Sequence, residues 1–180
     1  MKKLLLVVSF IALGIVSTFA QKGEKAIGIN LGYGTEVSNV GLGAKFRYGI
    51  TDAIRTEASF DYFFKKDGLS MWDINLNAHY LFHLSDKLNV YPLAGLTYTN
   101  WKMAGYDIDL GDFEGFENDW GDYVEDSIDE STKSGKFGVN LGAGIEYGLT
   151  SNLSIGFEVK YQLIADFNQA VFGIGATYNF

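Results

Sequence analysis

Apolar and polar residues alternate with a period of two along almost the whole chain after Lys25. In the stretch VGLGAKFRYGI, residues 40–50, Val, Leu, Ala, Phe, Tyr and Ile fall on one side and Gly, Lys and Arg on the other. Successive side chains of a β-strand point to opposite faces, so this stretch predicts a strand with one apolar face. No segment of helical period appears beyond the first 20 residues. Eight alternating segments run over 26–34, 40–50, 54–64, 71–84, 88–102, 136–149, 153–163 and 170–180.

The connections between these segments alternate between short and long. The short ones share one sequence pattern, in YGITDAI (48–54), FHLSDKL (82–88) and YGLTSNL (147–153). The others, 35–39, 65–70, 103–135 and 164–169, vary in length and composition. Short turns at one end, longer loops at the other and aromatic residues at the segment ends are typical of outer-membrane barrels. Because a bilayer offers no water to unpaired backbone groups, a spanning sheet must close, so the last segment must pair with the first.

The first residues, MKKLLLVVSFIALGIVSTFAQ, have the layout of a secretory signal peptide. Lys2 and Lys3 precede an apolar run, and the small residues Thr18 and Ala20 stand where a signal peptidase reads. The apolar run is short for a membrane-spanning helix, which needs about 20 residues. The sequence therefore predicts a signal peptide over 1–20 and a barrel domain over 21–180.

The tail of the chain, GIGATYNF, resembles the C-terminal assembly signal of bacterial outer-membrane β-barrels, with Gly173, Tyr178 and Phe180 as its residues. With the signal peptide, the eight segments and the repeated turns, the chain resembles small barrels of the OmpA and OmpX type. Its start after Ala20 is similar to that of outer-membrane barrels common in Bacteroidetes.

The segments and the resemblance together imply an all-β fold, an eight-stranded antiparallel transmembrane β-barrel with up-and-down meander topology. Short turns on the periplasmic side and an even strand count predict that both termini lie in the periplasm. The resemblance further implies a monomer, integral in the bacterial outer membrane. Its expected partners are outer-membrane lipid, lipopolysaccharide and the barrel-assembly machinery.

The face opposite the apolar one carries charges of both signs. An eight-stranded barrel is only wide enough for side chains to fill it, so these charges should pair inside it. A nearly balanced set favours a closed interior, because a selective pore would show mainly one sign. The turn centred on Asp52 predicts that Arg47 lies opposite Glu57. The predicted interior charge network comprises Lys45, Arg47, Arg55, Glu57, Asp61, Asp73, Glu146, Glu158 and Lys160.

Three further residues bear on the interior. Pro92 lies inside the fifth segment, where it cannot donate a ladder hydrogen bond, so we expect a β-bulge there. His79 and His83 lie on the inward face of the fourth segment. No serine and carboxylate clearly join them, and a structural zinc site takes more ligands than two histidines provide. Both are therefore predicted to be neutral residues that hydrogen-bond to neighbours, and no catalytic residue is predicted.

The connection 103–135 concentrates negative charge. Residues 104–135 hold 11 of the 22 acidic residues and one base, Lys133, whereas the rest of 21–180 holds 11 acids and 11 bases. This acidic balance argues against a nucleic-acid partner. The loop is interpreted either as a solvated segment or as an extracellular surface for cations or a basic partner. Its densest cluster, Asp107, Asp109 and Asp112, suggests a weak calcium site, since calcium takes about six to eight oxygens, although the spacing departs from an EF-hand.

Three functions follow from these patterns. The first is a small outer-membrane protein with a structural or surface-interaction role and no enzymatic activity, whose loops bind an external partner or cations. The second is a narrow porin-like channel for ions or small solutes. The third is an outer-membrane lipid-modifying enzyme. No cofactor other than the weak calcium site is expected.

Overall fold

The computed structural model describes residues 22–66, 68–103, 133–165 and 168–180. Within them, no helix is long and apolar enough to cross a membrane. The strands are β1 (Lys25–Gly34), β2 (Asn39–Gly49), β3 (Ile54–Lys66), β4 (Leu69–Tyr80), β5 (Phe82–Ser85), β6 (Leu88–Met103), β7 (Lys133–Gly148), β8 (Leu153–Ile164) and β9 (Gln169–Asn179). The predicted signal peptide lies outside the described residues, as do Asp107, Asp109, Asp112 and most of the acidic loop.

The strands form one closed antiparallel sheet. Each strand pairs with its neighbours in the chain, β4 and β5 both pair with β6, and β1 pairs with β9. Because β4 and β5 are two parts of one barrel strand, separated only by Leu81, the barrel has eight strands. The predicted eight-stranded up-and-down barrel is therefore confirmed.

The seam between β1 and β9 uses the last residues of the chain. The register runs from Ala26 opposite Asn179 to Gly34 opposite Val171. Beyond the ladder, the backbone N–H of Phe180 donates to the carbonyl of Lys25 at 2.8 Å. The alternation that continues to the carboxylate is thus the pattern of the strand that closes the barrel.

Two of the repeated short connections fold into the same turn. The backbone N–H groups of Ile50 and Thr51 both donate to the carbonyl of Ile54, at 2.9 and 3.1 Å, and Leu149 and Thr150 repeat this with Leu153. In each turn the threonine Oγ1 accepts the backbone N–H three residues on, at 2.9 and 3.0 Å. The hydroxyl fixes a tight turn, which explains the recurring Ser or Thr.

The bulge expected at Pro92 is absent, and this expectation is wrong. Pro92 pairs in regular register with Ala143 of β7. On its other side, the pairs His79–Leu93 and Phe82–Val90 keep one register, so no residue is inserted between them. The proline lacks an N–H, so the ladder is interrupted rather than bulged, and this gap divides the predicted segment 71–84 into β4 and β5. On the side of β3 the hydrogen bonding continues, because Leu81 donates its N–H to the carbonyl of Ala53 at 2.7 Å.

Apolar side chains cover the outside of the barrel. Ile29, Leu76, Leu96 and Ile174 are each more than half exposed, whereas the alternate residues point inward and are mostly polar and buried. The strands beside the acidic loop are longer than the alternation indicates, because Lys102 still pairs with Lys133. The three residues added at the start of β7, Lys133, Ser134 and Gly135, are charged or small and do not alternate, so the pattern ends before the ladder does.

We expect deletion of Phe180 to reduce the yield of folded barrel, because it removes the last hydrogen bond of the seam and an outward ring that is 61% exposed. The yield is measured as the heat-modifiable band of refolded protein and as protein recovered in outer membranes. The control is Phe180→Tyr, which keeps both the backbone and the ring. A normal yield from the truncated chain would contradict the proposed role of the tail.

Candidate functional site: the barrel interior

A cluster of ion pairs fills the half of the barrel nearest the short turns, called the turn end below. Arg47 lies between two carboxylates, with its Nε 2.7 Å from Glu57 and its Nη1 in contact with Glu146. The Nη1 of Arg55 lies 3.2 Å from the Oε1 of Glu146, and the Nζ of Lys45 lies 3.6 Å from the Oε2 of Glu57. Each of the two carboxylates therefore has two basic partners, which is what charges shielded from bulk water require.

A second polar layer lies at mid-height, around two carboxylates on adjacent strands. Asp61 and Asp73 are directly opposite each other in β3 and β4. The amide of Asn75 donates to both, at 3.1 and 2.7 Å, and Lys160 lies 3.4 Å from Asp61. The Gln162 amide donates to Asp73 at 2.9 Å. Amide donors from β4 and β8 thus supplement the single lysine that faces this acidic pair.

An apolar layer closes the opposite half, called the loop end below. Val37, Phe63, Met71 and Val171 are buried there against one another, with Leu69 and Trp101 packed beside them. This layer was not predicted from the sequence. Its signal was present, since the alternation of β3 puts Phe63 on the same face as Asp61, and that of β4 puts Met71 with Asp73.

His79 is held inside the turn-end cluster. Its ring stacks on Tyr91 with centroids 4.6 Å apart, and its Nδ1 faces the Arg55 guanidinium at 3.3–3.4 Å. Because arginine only donates, Nδ1 acts as the acceptor and the ring proton lies on Nε2. His83 is half-buried, and its Nδ1 lies 2.6 Å from the side-chain Oδ1 of Asn89. These contacts agree with the prediction of histidines that hydrogen-bond to their neighbours.

One group among the described residues has the composition of a metal site. Ligand atoms of Glu57, His79 and Glu158 lie within 4.8 Å of one another. However, Glu57 already pairs with Arg47 and Lys45, and Glu158 accepts from Tyr91 at 3.0 Å. The proton on His79 Nε2 also occupies the free ring nitrogen. A divalent cation would have to displace these donors, so the donor set does not fit a metal.

The filling of the interior depends on small inward residues beside the large ones, on neighbouring strands. A Cβ atom at Gly144 would overlap the Tyr91 ring, and one at Gly43 would overlap Asp61. Strand β9 likewise presents Gly173 and Gly175 to the inside. The long side chains of β3, β4 and β6 therefore lie against nearly bare backbone. These glycines are required by close approach, not by an unusual backbone angle.

Open space reaches the interior from the turn end. A vestibule of about 730 Å³ there is bordered by Glu146, Asn89 and Phe180. Deeper in, beside Lys45, Asp61 and Glu158, the cavity holds only about 30 Å³, the room of about one water molecule. The barrel therefore narrows from an open mouth to a packed core.

The structure places all nine residues of the predicted charge network inside the barrel. Seven are buried, whereas Lys45 and Glu158 are partly buried. They form one group of carboxylates and bases at the turn end and one at mid-height. Of the assembly-signal residues, Gly173 faces inward, whereas Tyr178 and Phe180 are exposed on the outside.

A closed antiparallel barrel with an apolar outside and a polar, packed inside is an integral membrane β-barrel. The chain belongs to the outer membrane protein beta-barrel domain family, whose pattern matches residues 9–180. The protein is therefore a small integral protein of the bacterial outer membrane.

Solved structures of outer-membrane proteins share the fold. The N-terminal β-barrel domain of OprF from Pseudomonas aeruginosa is 19% identical, with a TM-score of 0.65 over 89% of this chain and 98% of that chain. Ail of Yersinia pestis is 18% identical, with a TM-score of 0.58 over 89% and 100%. OprG from Pseudomonas aeruginosa is 13% identical, with a TM-score of 0.59 over 89% and 97%. A comparison with curated proteins gives no match.

We expect Arg47→Leu to lower the free energy of unfolding by about 3–5 kcal/mol, because it leaves two buried carboxylates short of a partner. The double variant Arg47→Leu/Glu57→Leu should lose less than the sum of the single variants, because the pair is removed together. Urea titration of the folded barrel in lipid vesicles measures both values. Additive losses would show that the 2.7 Å contact contributes no coupling energy.

Proposed function

We propose that this protein is a closed, non-conducting barrel that acts through its loops as a non-enzymatic surface-interaction protein. Both termini and the short turns lie in the periplasm, and the long acidic loop lies outside the cell. The barrel is a monomer in contact with outer-membrane lipid, and its terminal strand is read by the assembly machinery. The observation that carries the proposal is the filled interior, with paired charges at one end and an apolar layer at the other.

The filled interior supports the closed state over the porin-like alternative. An ion moving along the axis would have to separate Arg47 from its carboxylates and then cross the layer of Phe63 and Met71, which offers no charged partner. The described residues also support a non-enzymatic role. His79 is held between Arg55 and Tyr91 and faces the inside of the barrel, away from lipid.

With a closed interior, the acidic loop is the part of the chain that would bind a partner outside the cell. Residues 104–132 carry all 11 acids of the loop, together with several aromatic residues, so they suit cations or a basic partner. Ail has been solved in complex with the heparin analogue sucrose octasulfate, a polyanion. The loop of this chain is negatively charged like that ligand and would repel it, so we propose a partner of positive charge.

In planar bilayers we expect the unmodified barrel to give no regular conductance steps. Phe63→Ala/Met71→Ala should give frequent ion-conducting events, because it removes most of the apolar layer. The matched control is Phe60→Ala/Ile74→Ala, a pair on the same two strands that faces outward and is 47% and 52% exposed. Stable, ion-selective steps from the unmodified barrel would overturn the proposal and favour the porin-like function.

Within the loop, we propose that calcium binds weakly at Asp107, Asp109 and Asp112. Calorimetric titration of the folded barrel should show binding in the millimolar range, as is typical of weak extracellular sites. Changing all three residues to Asn should abolish it. The matched control is Asp119→Asn/Asp122→Asn/Asp126→Asn in the same loop. Equal losses in both variants would show that only overall charge matters, and no heat from the unmodified barrel would exclude the site.

A further inference from the structure

We propose that the outer surface of β3, β4 and β6, together with Phe137 of β7, binds the phosphorylated glucosamine headgroup of lipopolysaccharide through an aromatic surface and three lysines above it. The inference rests on the orientation proposed above, which puts the loop end in the outer leaflet.

Four aromatic rings form a continuous aromatic surface across four neighbouring strands. The ring centroids of Phe60 and Trp72 lie 6.1 Å apart, those of Trp72 and Tyr98 5.8 Å, and those of Tyr98 and Phe137 4.9 Å. All four belong to the outward face, and Phe137 is 79% exposed, more than any other large outward hydrophobic residue in the described chain. The rings support one another, so they present a fixed platform rather than separate side chains.

This aromatic surface lies at the level of the headgroups. From Leu88 at the turn end of β6 to Tyr98, ten residues rise along the strand. At about 3.3 Å per residue and a tilt of about 40°, they span about 25 Å of the membrane normal, the height of the apolar band of such barrels. Tyr98 therefore marks the far edge of the band, and the pairs beyond it lie among polar lipid groups.

Three exposed lysines, Lys65, Lys66 and Lys102, stand beyond these rings. Lys66 pairs with Leu69 and Lys102 with Ser70, so the two flank the start of β4 from either side. Two strand spacings, about 10 Å, separate their backbones. The Lys66 Nζ donates to the carbonyl of Ser38 at 2.8 Å, which holds its charge at the rim. On the far side of the barrel, the described loop-end residues 34–39 and 168–172 include no lysine or arginine.

The occupant must be anionic and must also offer an apolar face to the rings. A phosphorylated sugar headgroup meets both requirements, because its phosphates suit lysines and the C–H face of its ring packs on aromatic carbon. An anionic phospholipid offers the phosphate without the ring. The lysines and the aromatic surface together therefore favour a phosphorylated glycolipid over an anionic phospholipid.

The test is native mass spectrometry of the folded full-length barrel in detergent with lipid A carrying two phosphates. Binding should weaken roughly a hundredfold in Lys65→Gln/Lys66→Gln/Lys102→Gln, since each of the three lysines near an anionic headgroup contributes about a factor of five. The charge-matched control, Lys22→Gln/Lys25→Gln/Lys87→Gln at the turn end, should bind as the unmodified barrel does. All variants are first checked for the heat-modifiable folded band.

A second pair of variants tests the rings. Trp72→Leu/Phe137→Leu should weaken binding, whereas Tyr33→Leu/Phe172→Leu, an outward pair on the far side of the barrel, should not. Equal weakening by both lysine triples, or equal binding of lipid A without phosphates, would overturn the site. Equal binding of phosphatidylglycerol would overturn the glycolipid assignment. Because the assay is done in detergent, its result does not depend on the orientation, which labelling of intact cells tests separately.

Discussion

The hydrogen-bonded ladder between the first and last strands is the interaction on which the rest of the structure depends. In a bilayer an open sheet edge has no water to bind, so the barrel exists only when β9 meets β1. Closure with eight strands then fixes the diameter, and the diameter leaves an interior that side chains fill. The polar interior follows from the same constraint. The face toward lipid must be apolar, so the polar residues of each strand lie at the alternate positions, which point inward.

The partners of the buried polar groups differ between the turn end, mid-height and the loop end of the interior. Arginines at the turn end each reach a carboxylate on another strand, so the ion pairs also tie β2, β3 and β7 together across the lumen. At mid-height one lysine faces two aspartates, and amides from Asn75 and Gln162 supply the remaining donors. At the loop end no charge remains and Phe63 fills the space. Arginine is suited to the first arrangement because its planar group binds two partners at once.

The alternation predicted the strands, the closure and the inward position of all nine charges, because a period of two assigns each residue to a face once one face is known. It also predicted the Arg47–Glu57 contact, since a tight turn fixes the register of its hairpin. It did not predict that Arg47 reaches Glu146 on β7. Contacts across the lumen depend on the shear and tilt of the closed barrel, which the alternation within one strand does not show. Pro92 was misjudged for a related reason. The missing N–H of proline is visible in the sequence. Whether the strand forms a bulge with an extra residue or only lacks one hydrogen bond in regular register depends on the partner strand. The start of β7 was not predicted, because the small and charged residues there do not show the apolar–polar alternation.

The inward glycines give space to large side chains on the neighbouring strands. Gly43 of β2 lies directly opposite Asp61 of β3, and Gly144 of β7 lies opposite Tyr91 of β6. Residues such as Gly43 and Asp61 are therefore not independent positions, because any volume gained at one must be given up at the other. In related chains, such pairs should exchange size between neighbouring strands while their sum stays constant. The inside of this barrel should thus evolve by covariation of volume, whereas its lipid-facing side needs only to remain apolar.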